Sequence, residues 1–183
     1  MTIDEAQADM RHAYFGGATG IFASALAWLA AALVAHLVSP RGGIATLFIG
    51  GMLIHPVAIL LSKLAGRPGA HGKANPLGRL AIETTVWMLL AIPLAFLLAF
   101  QRAEWFFVAM LVTIGGRYFT FATLYGMRVY WVCGLALASA AFALAALNAN
   151  STLAALAGGV IELVFAGVVF VMVRRGAAQS ATA

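Results

Sequence analysis

Trp105-Phe106-Phe107-Val108-Ala109-Met110-Leu111-Val112-Thr113-Ile114-Gly115-Gly116-Arg117-Tyr118-Phe119-Thr120-Phe121-Ala122-Thr123-Leu124 is a run of 20 residues that holds a single charge. As a helix rising about 1.5 Å per residue it covers about 30 Å, the thickness of a bilayer's hydrocarbon core, so it reads as a membrane span. Gly115 and Gly116 allow another backbone to come close. The guanidinium behind them is expensive in lipid, about 2.5 kcal/mol or more near the centre, and calls for a buried partner or a water-filled cavity.

The rest of the chain has the same character. Of 183 residues, 63% are hydrophobic and 9% charged, against roughly 25% charged in soluble proteins. Six stretches are long and apolar enough to cross a membrane: residues 14–38, 43–65, 77–100, 104–124, 127–147 and 152–173. The polar segment 66–76, rich in Gly, Pro and Asn, reads as a solvated loop. The other connections are too short for a second domain, so residues 1–183 are expected to form one all-α bundle of six transmembrane helices. Asp4, Glu5 and Asp9 precede Arg11, unlike the basic leader of a signal peptide. Thr2 and Glu5 have capping-box spacing, which predicts a short surface helix ahead of the first span.

Basic residues set the orientation. Arg11, Lys63, Arg67, Lys73, Arg79, Arg128, Arg174 and Arg175 fall on one side of a six-span bundle, and only Arg41 and Arg102 on the other. Positive residues stay in the cytoplasm, which predicts that both termini are cytoplasmic. Tyr14, Tyr125, Tyr130 and Trp131 on that side, and Trp105 opposite, suit interfacial aromatic belts.

The net charge of +5 follows from these flanks and carries no nucleic-acid role. Cys133 is the single cysteine, read as an inert buried thiol, with no disulfide and no multi-cysteine metal site. His12, His36, His55 and His71 lack helical ligand spacing, so neither metal nor cofactor is expected. No phosphate loop, His-Glu-x-x-His or Gly-x-Ser-x-Gly motif is present, and the chain does not read as an enzyme.

Depth along each span groups the ionisable residues. Glu83 comes out about 9 Å from the cytoplasmic face, Arg117 about 10 Å and His55 about 12 Å. The functional reading is a polar site of His55, Glu83 and Arg117 opening to the cytoplasm. The plainer readings are that Glu83 pairs with Arg79 one turn earlier, that Arg117 sits in an ion pair that only fixes helix register, and that His55 bonds a carbonyl freed by Pro56. Thr113, Arg117 and Thr120 share a face, which suits a polar pathway, although Thr also satisfies its own helix carbonyls. Glu162 lies about 15 Å deep, at the midplane, with no basic residue in helical reach. Ala155, Gly158, Gly159 and Ala166 beside it predict tight packing. It is the chain's proton-binding candidate, or a protonated acid that hydrogen-bonds across helices.

Asn75-Pro76-Leu77-Gly78-Arg79-Leu80, Gly115-Gly116-Arg117-Tyr118-Phe119 and Leu124-Tyr125-Gly126-Met127-Arg128-Val129-Tyr130-Trp131 resemble a family of small bacterial multispan membrane proteins with a domain of unknown function. The resemblance implies a bacterial inner-membrane protein and carries no activity or ligand. The expectation from the residues is a small transporter or channel-like protein for a polar or ionic solute, proton-linked through Glu162. The alternative is a non-transporting scaffold, accessory or lipid-binding protein whose buried charges serve packing. Membrane lipids are the expected partners in either case, and the glycine faces suit a homo-oligomer.

Overall fold

The computed structural model describes residues 1–180, whose regular structure is all helical. The surface helix α1, Ile3–Tyr14, begins with the predicted capping box: the Glu5 amide donates to the Thr2 hydroxyl (3.3 Å) and the Thr2 amide to the Glu5 carboxylate (2.8 Å). A 3-10 turn over Phe15–Gly17 breaks the chain from α2, Ala18–Leu37. Phe15 (φ 53°), Gly16 (φ 64°) and Gly17 (φ 90°) all take left-handed conformations. At a non-glycine residue that conformation costs roughly 1–2 kcal/mol. Gly17 is required sterically as well, because a Cβ there would run into the Tyr130 hydroxyl and the Tyr125 ring. The 20 residues of α2 span about 30 Å unaided, enough for one crossing.

Ser39 caps α3, Pro40–Leu64, by accepting from the Gly42 amide (3.0 Å), with Pro40 in the first turn where a missing N–H is harmless. Then follow α4, Leu77–Gln101, α5, Ala103–Tyr125, α6, Val129–Ala146, and α7, Ser151–Ser180. Six of these helices are long and apolar enough to cross a membrane, as the apolar runs predict. Pro56 and Pro93 lie inside α3 and α4 without ending them.

Lipid tails are as apolar as leucine, so helices associate in a membrane through close packing rather than through burial from water. Glycines set that packing here. α2 occupies the centre, between α3 and α7, and α5 lies between α4 and α6. Gly50 meets Ala27 where α3 crosses α2, while Gly158 and Gly159 of α7 receive Trp28 and Leu29 of α2. Where α5 and α6 cross, the Gly115 and Gly134 backbones touch. Gly116 faces open space, so only the first glycine of the pair before Arg117 serves this contact.

The segment 66–76 is a mostly exposed loop, as its composition predicts, but it is anchored at two points. Gly69 and Asn75 are buried, and the segment clasps α1. The Gly69 amide donates to the Ala13 carbonyl (3.0 Å), and the Asn75 side chain donates to the Ala6 carbonyl (2.9 Å) and to Asp9 (2.7 Å). The other flank of α1 is tied to the end of α5, with Gln7 donating to the Thr123 carbonyl (2.7 Å) and Arg11 to that of Tyr125. α1 thus lies across one end of the bundle.

Candidate functional site

Successive residues of an α-helix point about 100° apart, so Arg117 and Tyr118 on α5 serve different neighbours. Arg117 turns toward α4. It donates to the Thr85 hydroxyl (3.0 Å) and to the Met88 sulfur (3.3 Å), and its guanidinium carbon lies 5.2 Å from the centre of the Phe121 ring. Thr85 can accept that bond because its own proton goes to the Ala81 carbonyl (2.8 Å). The Nε of Arg117 is buried without an acceptor.

Tyr118 turns the other way, toward α7, where its hydroxyl donates to the Glu162 carboxyl at 2.7 Å. Glu162 has no exposed surface. Its second oxygen has no hydrogen-bond partner, although the buried Ser24 side chain of α2 lies beside the carboxyl. The small-residue face predicted around Glu162 is present, and it packs inside the bundle: Ala155 and Ala166 are buried and Gly158 seats Trp28. Arg117 is near enough for its charge to act on Glu162, without forming an ion pair. Thr85, Arg117, Tyr118, Glu162 and Ser24 therefore form a polar layer that crosses the bundle from α4 through α5 to α7 and α2.

Aromatic rings wall this layer. Tyr118 stacks on Tyr130 (centroids 5.9 Å), Tyr130 stacks on Tyr125 (5.5 Å), and Phe121 meets all three edge-on. The Tyr130 hydroxyl donates to the Gly16 carbonyl, which ties the cluster to the break before α2. Tyr125 and Tyr130 are buried, which corrects their reading as interfacial belt residues. Their side chains face into the bundle. Cys133 is buried nearby, as expected.

The other sequence candidates lie elsewhere. Glu83 is exposed on α4 and pairs with neither Arg117 nor Arg79, because the sole ion pair among the described residues joins Arg102 to Glu104. His55 is exposed on α3 and makes no hydrogen bond among the described residues. Thr113 and Thr120 spend their protons on the Ala109 (2.8 Å) and Arg117 (2.7 Å) carbonyls of their own helix, so no line of free hydroxyls leads to Arg117. Of the six candidates, Arg117 and Glu162 belong to the layer. Thr85, Tyr118 and Ser24 were missed. Tyr118 did carry a signal, since a tyrosine far from the interfaces needs a polar partner for its hydroxyl.

These features define a multi-pass α-helical membrane protein with an enclosed polar layer. Residues 3–172 match the model of a family of unknown function (DUF7010), and the chain belongs to that family. No curated protein and no solved structure matches it.

Proposed function

We propose that this protein is a small transporter or channel-like protein of the bacterial inner membrane, proton-linked through Glu162, that handles a small polar or ionic solute. The observation that carries the reading is the enclosed carboxyl of Glu162, held by one hydrogen bond from Tyr118 and with its second oxygen unpartnered. A lone carboxylate in such a site bears a desolvation penalty of several kcal/mol, whereas the neutral acid does not. Exchange of its proton therefore requires the core to open to water, and that coupling of proton to conformation is what proton-linked transport needs. The eight basic residues against two support an orientation with α1, segment 66–76 and the end of α7 in the cytoplasm.

The test uses proteoliposomes that carry a pH-sensitive dye, screened with solutes under an imposed pH gradient. Wild-type protein is expected to show solute-dependent proton movement, lost in Glu162→Gln. Solute flux that persists unchanged in Glu162→Gln would refute the proton link.

One observation favours a second reading, a non-transporting membrane protein whose polar groups fix helix packing. Arg117 is held by a threonine, a methionine and a ring, all within the bundle. On that reading no solute produces flux, and Glu162→Gln changes only thermal stability.

A further inference from the structure

A cavity of about 350 Å³ opens at the end of the bundle where α1 lies, away from the polar layer. Phe15, Ala65, Arg67, Phe170 and Arg174 line it. Phe15 and Phe170 stack with centroids 4.9 Å apart, and each ring carries an arginine: Arg67 lies 5.0 Å from the centre of Phe15, and Arg174 5.5 Å from that of Phe170. The aromatic pair thus holds two guanidinium groups at one opening.

Neither arginine has a carboxylate partner among the described residues. Arg67 gives one N–H to His12 Nδ1 (2.9 Å), a nitrogen that accepts and so bears no proton, which leaves the rest of its fork unused. Arg174 makes no hydrogen bond among the described residues. Two planar forks set by ring contacts match the oxygens of a phosphate group better than a single flexible ammonium would. The depth also fits. Arg174 stands about 35 Å along α7, just past a hydrocarbon core about 30 Å thick, at headgroup level. Basic pockets between helices at this level suit phosphate-bearing lipid headgroups.

We infer that the Arg67–Arg174 pocket binds a phosphate group at the membrane surface, supplied by an anionic phospholipid or by a free phosphate ion. The site is independent of any transport role for Glu162.

The test measures thermal stability of the full chain in nanodiscs of phosphatidylcholine alone, in nanodiscs containing phosphatidylglycerol, and in the first kind with added inorganic phosphate against chloride of equal ionic strength. A ligand that binds only the folded state raises the melting temperature. Phosphatidylglycerol alone raising it identifies the lipid as the source, and phosphate raising it over chloride identifies the free ion. Each arginine lost is expected to weaken binding roughly tenfold or more, so Arg67→Gln with Arg174→Gln abolishes the rise. Arg128→Gln, in the connection between α5 and α6, controls for diffuse surface charge and should retain it. Arg174→Gln alone, which breaks no hydrogen bond, serves if the double variant does not fold. No rise with either source, or a rise lost equally in Arg128→Gln, overturns the inference.

Discussion

Adjacent glycines before Arg117 should respond in opposite ways to the same added methyl group. A Cβ on Gly115 would sit 2.9 Å from the Gly134 carbonyl oxygen and 3.3 Å from the Leu137 Cβ. A Cβ on Gly134 would be 2.6 Å from the Gly115 oxygen and equally close to the Phe119 ring. Backbone oxygen cannot swing aside as a side chain can, so α5 and α6 must separate, and overpacking of this kind costs about 1–3 kcal/mol. That is about 5- to 150-fold in the unfolding equilibrium. Gly116 meets nothing within 4 Å, and alanine there is expected to be neutral or to stabilise by up to about 1 kcal/mol through reduced backbone entropy in the unfolded chain. The assay is reversible unfolding of each variant in mixed micelles, followed by circular dichroism. If Gly116→Ala costs as much as Gly115→Ala, the α5–α6 contact described above is wrong.

Tyr118→Phe leaves the buried Glu162 oxygen without its donor, and micellar unfolding should show a loss of about 1–3 kcal/mol. Arg117→Met keeps contact with Phe121 and removes a buried charge that has no paired carboxylate, so it is expected to be neutral or stabilising in the same measurement, with Glu83→Gln silent. At the bundle's end, outside the spans, hydrogen bonds from the Asn75 side chain and the Gly72 amide hold the Asp9 carboxyl below its usual range. Its folded value is depressed, so its contribution is present above about pH 4 and is lost as pH falls through the lower folded value. The protection of the Gly72 amide, its exchange rate taken relative to the intrinsic rate at each pH, should fall over that interval in wild type and be low throughout in Asp9→Ala.

Apolar run length made all six spans legible, since a bilayer admits few alternatives to a helix of that length. Charge inside an apolar run drew attention to Arg117 and Glu162, and both belong to the layer. Azimuth was not legible. Glu83 has suitable depth but faces outward, while Thr85, two residues on and about 200° round the same helix, meets Arg117. Depth along the axis says nothing of which side of the helix a residue takes, and the side that meets Arg117 carries a hydroxyl, not a carboxylate. Tyr125 and Tyr130 make the same point, because their level suits an interface and their direction gives them to the core. Segment 66–76 is the loop its Gly, Pro and Asn predict, but composition carries no sign of the bonds that tie it to α1.

The seating of Trp28 against Gly158, with Ser24 beside Glu162, also bears on the order of assembly. The first span synthesised packs against both the second and the last. Until α7 enters the membrane, the side of Trp28 that Gly158 will seat has no partner, and the carboxyl that will sit beside Ser24 has not been made. Closure of the bundle and delivery of its deeply enclosed acid are then a single late event, and a nascent chain halted before Ser151 holds five spans with the α7 side of α2 still uncovered.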